Sequence, residues 1–191
     1  MVELRQPEPT WASRNGPLDI DAVLHACAAL IAPAARKAGD TISMPKAAPF
    51  GSSSGDPEIV TQILMRFLQN AVAYGPAGGT IHLTAADRLS VSDSLAPLSS
   101  LGIRSSVAEG GPGIPDHDAE RVFEPFIRGP AGEAVGSAGL GLSVARNLAT
   151  GLGGTVGVDG SPFWLDLPPT DPGELSPDPG EYTPKVSGQS S

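Results

Sequence analysis

The 191-residue sequence has little of several residue types that mark common functional classes. Its single cysteine, Cys27, excludes a disulfide within the chain and favours a reducing compartment. Aromatic residues make up 5 % of the chain, and acidic residues outnumber basic ones by 21 to 12. A nucleic-acid-binding protein needs a basic face and often an aromatic platform for bases, so we expect no nucleic-acid partner.

Long apolar segments are also lacking. The longest such run, 22–35, contains His25 and is shorter than the roughly 20 residues of a membrane-spanning helix. Residues 1–6 are too polar for the apolar centre of a signal peptide. We therefore expect a cytoplasmic protein with no membrane span in this chain.

Glycine and proline are abundant, with 24 and 20 residues, and many of them lie towards the C-terminus. Their distribution predicts three parts. Residues 1–16 are a linker or a helix remnant, residues 17–168 a folded domain, and residues 169–191 a disordered tail of Pro, Gly, Ser and acidic residues.

Periodicity and capping residues predict three helices in the folded part. Asp19 caps the first, Asp56-Pro57 begins the second, and the apolar residues from Leu142 to Leu152 mark the third. The predicted strands lie at 41–44, 81–85, 89–91 and 103–108, followed by a closing hairpin of 155–158 and 163–167. A turn is predicted at 86–88 and a loop at 46–55. Phe123 and Phe126, three residues apart, are predicted to anchor the core.

Asn70 stands on the second helix four residues after Arg66, so the two share one side of it. An amide buried beside an apolar stripe without partners costs about 1–3 kcal/mol. Either its carbonyl oxygen binds a Mg²⁺ held by phosphates, because Mg²⁺ prefers oxygen ligands and keeps several waters, or it makes a structural hydrogen bond.

Glu109 opens a glycine-rich turn that ends at Gly113. A carboxylate at the mouth of a pocket can accept a hydrogen bond from the exocyclic amine of adenine, while Gly111 and Gly113 let a purine pack on the backbone. A tight turn after a strand explains the same residues without a ligand.

Gly139-Leu140-Gly141 precedes the third helix. The first turn of a helix attracts anions through its unpaired N–H groups and its dipole, which favours a phosphate site. The segment is neither a P-loop nor a dinucleotide fingerprint. A flexible loop joined to a helix is the alternative.

Taken together and in this order, these motifs resemble the ATP-binding catalytic domain of sensor histidine kinases, in the class shared with gyrase and Hsp90. The resemblance covers about residues 17–168. The segments that carry it are Gly55–Pro57, Gln62–Ala71, Gly110–Pro115, Arg121–Phe126 and Ala138–Arg146.

The resemblance implies an α/β (α+β) two-layer sandwich, in which a mixed sheet carries about three helices on one face. It also implies ATP and Mg²⁺ as cofactors and a mobile lid at 129–138. No catalytic residue of this chain is implied. The implied ligand-binding residues are Asn70 for Mg²⁺, Glu109, Gly111 and Gly113 for adenine, and Gly139, Leu140 and Gly141 for the phosphates.

Three features depart from the family pattern. Arg66 stands where the family usually has a polar residue, and it either repels Mg²⁺ or holds a phosphate. Glu109 replaces the usual aspartate, for which Asp93 is the alternative. None of the three histidines, His25, His82 and His117, lies in the helical hairpin that carries the family's phosphoacceptor.

Two functions follow. The first is an ATP-binding kinase domain of a two-component system, which donates the γ-phosphoryl group to a histidine on a separate partner or missing domain, upstream of a response regulator. The second is a degenerate, non-catalytic module that binds a nucleotide or a partner as a switch. A Ser/Thr-directed relative of the anti-sigma-factor kinases, which share the fold, is disfavoured, because these usually have a glutamate where Arg66 stands.

Overall fold

The computed structural model describes residues 16–44, 53–87, 102–127 and 139–170. These residues form a two-stranded sheet and a five-stranded sheet with helices packed against it. The elements are β1 (Gly16–Leu18), α1 (Ile20–Ala38), β2 (Thr41–Ser43), β3 (Ser53–Gly55), α2 (Pro57–Tyr74), β4 (Thr80–Asp87), β5 (Ile103–Ala108), α3 (Gly141–Gly151), β6 (Thr155–Val158) and β7 (Phe163–Leu167).

The first two helices begin where their capping residues predict. Asp19 accepts a hydrogen bond from the N–H of Ala22, and Asp56 accepts one from the N–H of Glu58. Each carboxylate thereby pairs a donor that the first helical turn leaves free. Gly39 ends α1 in the left-handed conformation, with φ of 84°, which glycine adopts without strain.

The five-stranded sheet has the order β2-β4-β5-β7-β6. The β2–β4 pair is parallel and the other pairs are antiparallel. In the separate two-stranded sheet, β1 pairs with β3, so the segments that lead into α1 and α2 are joined. Residues 53–55, expected to be loop, are therefore a strand, because their partner lies far away in sequence.

The predicted hairpin of 81–85 with 89–91 is corrected by the structure. Strand β4 continues through Ala86 and Asp87, which pair with Arg104 and Ile103 of β5. The predicted turn is therefore wrong for these two residues, because pairing with a distant strand overrides their local turn preference. Residues 88–101 lie outside the described part.

The helices cover one face of the sheet, as the fold prediction stated. Alternate side chains of β5 and β7 are buried on this face, and α2 lies between α1 and α3. The rings of Phe67 on α2 and Phe163 on β7 stack with centroids 5.5 Å apart. Each large apolar side chain buried in this way contributes about 1.5–3 kcal/mol.

Phe123 and Phe126 were both expected to anchor the core, and only Phe123 does. Phe123 is 2 % exposed and packs edge-on against Phe163. Phe126 is 73 % exposed and has φ of 66°, so the prediction is wrong for this residue. Its backbone bond to Gly139 turns the side chain away from the core.

None of the helices in the described ranges is long and apolar enough to cross a membrane.

Candidate functional site

The glycine-rich turn after β5 is held by the turn that joins β6 and β7. The N–H of Glu109 donates to Ser161 Oγ over 3.3 Å, and that hydroxyl donates to the carbonyl oxygen of Glu109. The N–H of Ile114 donates to the carbonyl oxygen of Gly160 over 2.8 Å. Ser161 was not among the site residues predicted from the sequence, where its only signal is its place in the turn of the predicted closing hairpin.

Glycine is required at position 113 by backbone conformation and by space. Gly113 has φ of 75°, and a β-carbon there would lie 2.9 Å from the carbonyl carbon of Gly160. At Gly111, a β-carbon would lie 3.3 Å from Glu109 Oε1. Both predicted glycines therefore border the Glu109 turn, and Gly111 leaves room for its carboxylate.

The carboxylate of Glu109 lies at the end of α2. Its Oε2 atom is buried and has no hydrogen-bond partner among the described residues. A β-carbon on Gly75 would come within 2.9 Å of this oxygen. A buried acceptor without a partner costs about 1–3 kcal/mol, so a donor supplied by a ligand would be stabilised here.

This carboxylate lines one side of a small, narrow cavity. Burial, and to a lesser degree the negative charge of Asp40, raises the pKa of Glu109 to about 7. Near neutral pH this carboxyl is therefore present in both protonation states. The residues that line the cavity are Asp40, Ala71, Gly75, Pro76, Gly79, Thr80, Ile81, Glu109 and Gly110.

Asp40 is a second residue of this cavity that the sequence analysis missed. Its Oδ1 accepts hydrogen bonds from the N–H groups of Gly78 at 3.0 Å and Gly79 at 3.1 Å. These bonds fix the loop between α2 and β4, which forms one wall of the cavity. The sequence offers only a weak signal, an acid directly after the glycine that ends α1.

Gly139-Leu140-Gly141 forms the entrance to α3. Gly139 has φ of 67°, and a β-carbon there would lie 2.9–3.0 Å from backbone atoms of Phe126 and Ile127. The N–H of Phe126 donates to the carbonyl oxygen of Gly139 over 2.9 Å. These contacts join the two ends of the predicted lid at 129–138, which itself lies outside the described residues.

Among the described residues, no side chain caps the N-terminus of α3, which begins at Gly141 after the partly exposed Leu140. Its first turn contains no acidic residue. The positive end of the helix dipole is therefore not neutralised by a described capping side chain or by an acidic residue of the first turn.

Arg66 and Asn70 lie on α2 and link the two ends of the candidate site. Arg66 is exposed, and its Cδ atom would be 3.8 Å from a β-carbon on Gly141. Asn70 is half-buried one turn further along. At 1.5 Å per residue, the distance along the helix from Arg66 to Gly75 is about 13 Å. The site is thus an elongated strip along α2, with Glu109 at one end and the N-terminus of α3 at the other.

The described ranges contain no group of three or more His, Cys, Asp or Glu side chains that could hold a metal by themselves. A Mg²⁺ ion at this strip would have the oxygen of Asn70 together with phosphate and water oxygens as ligands. Asp93, the alternative adenine-binding residue, lies outside the described residues. The structure places Glu109 directly after β5, at the cavity.

Comparisons of this chain with known proteins all indicate the same family. The profile of the family described as histidine kinase-, DNA gyrase B- and HSP90-like ATPase matches residues 55–171. The adaptive-response sensory kinase SasA of Nostoc sp. is 34 % identical over 107 residues, which are 56 % of this chain and 24 % of that protein. The sensor histidine kinase AruS of Pseudomonas aeruginosa is 36 % identical over 122 residues, which are 59 % of this chain and 11 % of that protein.

Solved structures of histidine kinases have the same fold as this domain. Full-length ShkA in complex with AMPPNP is 31 % identical with a TM-score of 0.64, and the match covers 81 % of this chain and 31 % of that one. The catalytic domain of histidine kinase ThkA is 22 % identical with a TM-score of 0.65, covering 81 % of this chain and 95 % of that one.

The match to these two curated relatives spans a quarter or less of their length. What it covers is the part with the ATPase fold, since the profile match includes α2, the Glu109 turn and α3. The chain belongs to the family of histidine kinase-, DNA gyrase B- and HSP90-like ATPases, as a domain of the sensor histidine kinase type.

Proposed function

We propose that this domain binds Mg-ATP along the strip beside α2 and serves as the kinase domain of a two-component signalling system. One observation carries the proposal: the buried Oε2 of Glu109 has no hydrogen-bond partner among the described residues, and Glu109 lines a small cavity at the end of α2. Membership of the ATPase family, and the AMPPNP complex of the ShkA neighbour, support it.

Adenine binds at the cavity end. The ionised carboxylate of Glu109 accepts a hydrogen bond from the exocyclic amine, and Gly111 and Gly113 allow the flat ring to lie on the turn. Ser161 and Asp40 position the walls of this cavity through the hydrogen bonds described above. The base thereby supplies the donor that Glu109 Oε2 lacks.

The phosphates bind at the N-terminus of α3. Gly139, Leu140 and Gly141 present backbone N–H groups, and the uncapped helix end favours negative charge. Asn70 contributes its carbonyl oxygen to Mg²⁺. When bound, this ion neutralises charge on the phosphates.

The chemical step transfers the γ-phosphoryl group to a histidine. A ring nitrogen of that histidine forms the new bond to phosphorus while the bond to the β-phosphate oxygen breaks, which leaves ADP. The histidine belongs to a separate partner or to a domain outside this chain, and a response regulator acts downstream. One neighbour of the same fold, ThkA, has been solved in complex with a response regulator protein.

The same proposal assigns the nucleotide-binding domain to residues 17–168 and places it in the cytoplasm, between a linker at 1–16 and a tail at 169–191.

The second candidate, a non-catalytic binding module, is favoured by one observation. Arg66 places a cation beside Gly141, one turn from Asn70, where it opposes a divalent cation. This candidate predicts nucleotide or partner binding without transfer of phosphate.

Titration calorimetry with ATP, with and without Mg²⁺, tests binding. We expect binding by the wild type, strong weakening in Glu109→Gln, and loss of the magnesium contribution in Asn70→Ala. Gln69→Ala, an exposed neighbour on α2, is the matched control and should bind as the wild type does. No heat from a folded wild-type sample at millimolar ATP would contradict the proposal.

Transfer is tested separately, with labelled ATP and purified proteins that carry a phosphoacceptor histidine. Labelled histidine in a partner supports the kinase. Intact binding without transfer to any of these partners would favour the binding module instead.

A further inference from the structure

The side chain of Arg66 lies beside the entrance to α3. Its Cδ atom would be 3.8 Å from a β-carbon on Gly141, the first residue of that helix. The guanidinium therefore extends from a carbon that already borders the helix end.

Arg66 forms no ion pair within the described part of the chain. Three other arginines there do: Arg104 with Asp166, Arg121 with Asp118 and Arg146 with Glu120. Arg146, the basic residue of α3, is additionally engaged by the ring of Phe123, 4.5 Å away. Arg66 is thus an exposed cation that has no described anionic partner.

Two sources of positive potential therefore coincide at one place. The N-terminus of α3 has no side-chain cap and no acidic residue in its first turn, and Arg66 adds a full charge next to it. A guanidinium binds phosphate oxygens through two parallel N–H donors, which a lysine ammonium does not reproduce.

We propose that Arg66 binds the terminal phosphates of the nucleotide and takes over part of the charge neutralisation that Mg²⁺ otherwise provides. The inference rests on the proposed nucleotide site and specifies how that site holds the polyphosphate. Arg66, which departs from the family pattern, is then a phosphate-binding residue and not a defect of the site. The domain then binds ATP and ADP in the absence of a divalent metal, and Mg²⁺ strengthens binding less than it would with a neutral residue.

The test measures dissociation constants for ATP, ADP and AMP in EDTA and in Mg²⁺, by calorimetry, for the wild type, Arg66→Asn and Arg66→Lys. In EDTA, Arg66→Asn should weaken ATP binding about ten- to hundredfold, the range of a charge-assisted hydrogen bond. AMP binding should change less than about twofold. Arg66→Lys should retain part of the ATP affinity, because it keeps the charge and loses the paired donors.

Arg36→Asn is the matched control, because it removes the same charge from an exposed position on another helix. It should leave all three affinities unchanged. The ratio of ATP affinities with and without Mg²⁺ should increase in Arg66→Asn and stay constant in Arg36→Asn.

The outcomes are separable. A wild type that binds ATP, with Arg66→Asn binding ATP equally well in EDTA, overturns the role of Arg66 and leaves the proposed function standing. Equal losses for ATP and AMP in a folded variant also overturn it, because they indicate a structural effect. A folded wild type that binds no nucleotide in either buffer overturns the proposed function and this inference together.

Discussion

Glu109 Oε2 lies against Gly75, the residue that ends α2, so closely that a β-carbon on Gly75 would be 2.9 Å from it. The contact joins the turn after β5 to the end of the helix that carries Arg66 and Asn70. The Oε2 atom is therefore held in a cavity where it has no described hydrogen-bond partner. This relationship defines one end of the candidate site and has consequences for stability.

The first prediction concerns the pH dependence of folding. The pKa of Glu109 is raised to about 7 from the model-peptide value of 4.5, chiefly by burial. Between these values the folded state binds more protons than the unfolded state, so the contribution of Glu109 to the free energy of unfolding decreases as pH rises from about 4.5 to 7. Above pH 7 that contribution is constant.

Denaturant unfolding of the wild type and of Glu109→Gln, carried out across this pH range, measures the contribution of Glu109 to the free energy of unfolding. The free energy of unfolding of the variant should not show this decrease. The variant should therefore become more stable relative to the wild type as pH rises. Parallel pH profiles for the two proteins would contradict the prediction. Asp40→Asn removes the nearby negative charge and should lower the pKa of Glu109. The decrease in unfolding free energy should then end at a lower pH than in the wild type.

A second prediction concerns the face of the sheet opposite the helices. A β-carbon on Gly157 would overlap the indole ring of its cross-strand partner Trp164. Gly157→Ala should displace this ring and lower the free energy of unfolding by about 1–3 kcal/mol. Chemical denaturation followed by tryptophan fluorescence measures both effects.

Gly16→Ala is the control, since a β-carbon there meets no atom within 4 Å. It should be neutral or stabilise the fold slightly, through a less flexible unfolded chain. Equal free energies of unfolding for the two variants would contradict the prediction, because they would show that the Trp164 ring moves aside without loss of stability.

A third prediction concerns the ion pair between Arg104 and Asp166. The guanidinium donates two hydrogen bonds to this carboxylate, at 2.6 and 2.8 Å, and Asp166 is 2 % exposed. Arg104→Met removes the guanidinium that binds this buried carboxylate and should cost about 1–3 kcal/mol of unfolding free energy.

The exposed pair of Arg121 and Asp118 provides the comparison. Arg121→Met should change the free energy of unfolding by less than about 1 kcal/mol. In Arg104→Met combined with Asp166→Asn, part of the loss should be recovered. Additive losses would mean that the two side chains act independently.

A fourth prediction concerns Cys27. This thiol is fully buried, and burial raises its pKa to about 11. Because the thiolate is the reactive form, a thiol reagent at pH 8 should modify the folded protein far more slowly than the denatured protein. Equally fast modification of both states, in a sample shown to be folded, would contradict the burial of α1 against α2.

The sequence by itself determined the local features. Asp19, Asp56 and Gly39 mark helix ends because capping and left-handed turns depend on a few neighbouring residues. Residues 103–108 were predicted as a strand and residues 163–167 as part of a closing hairpin, and both segments are strands of the sheet. The ordered motifs around Asn70, Glu109 and Gly139 were sufficient to indicate the family.

Only the tertiary structure decided which distant residues meet. Ser161 holds Glu109, Asp40 holds the loop before β4, and Arg66 reaches Gly141 because the sheet and helices bring separate segments together. Ala86 and Asp87 extend β4, and Phe126 faces solvent, for the same reason: their partners lie elsewhere in the chain. Sequence patterns report local preference, whereas these contacts depend on pairing and packing across the whole domain.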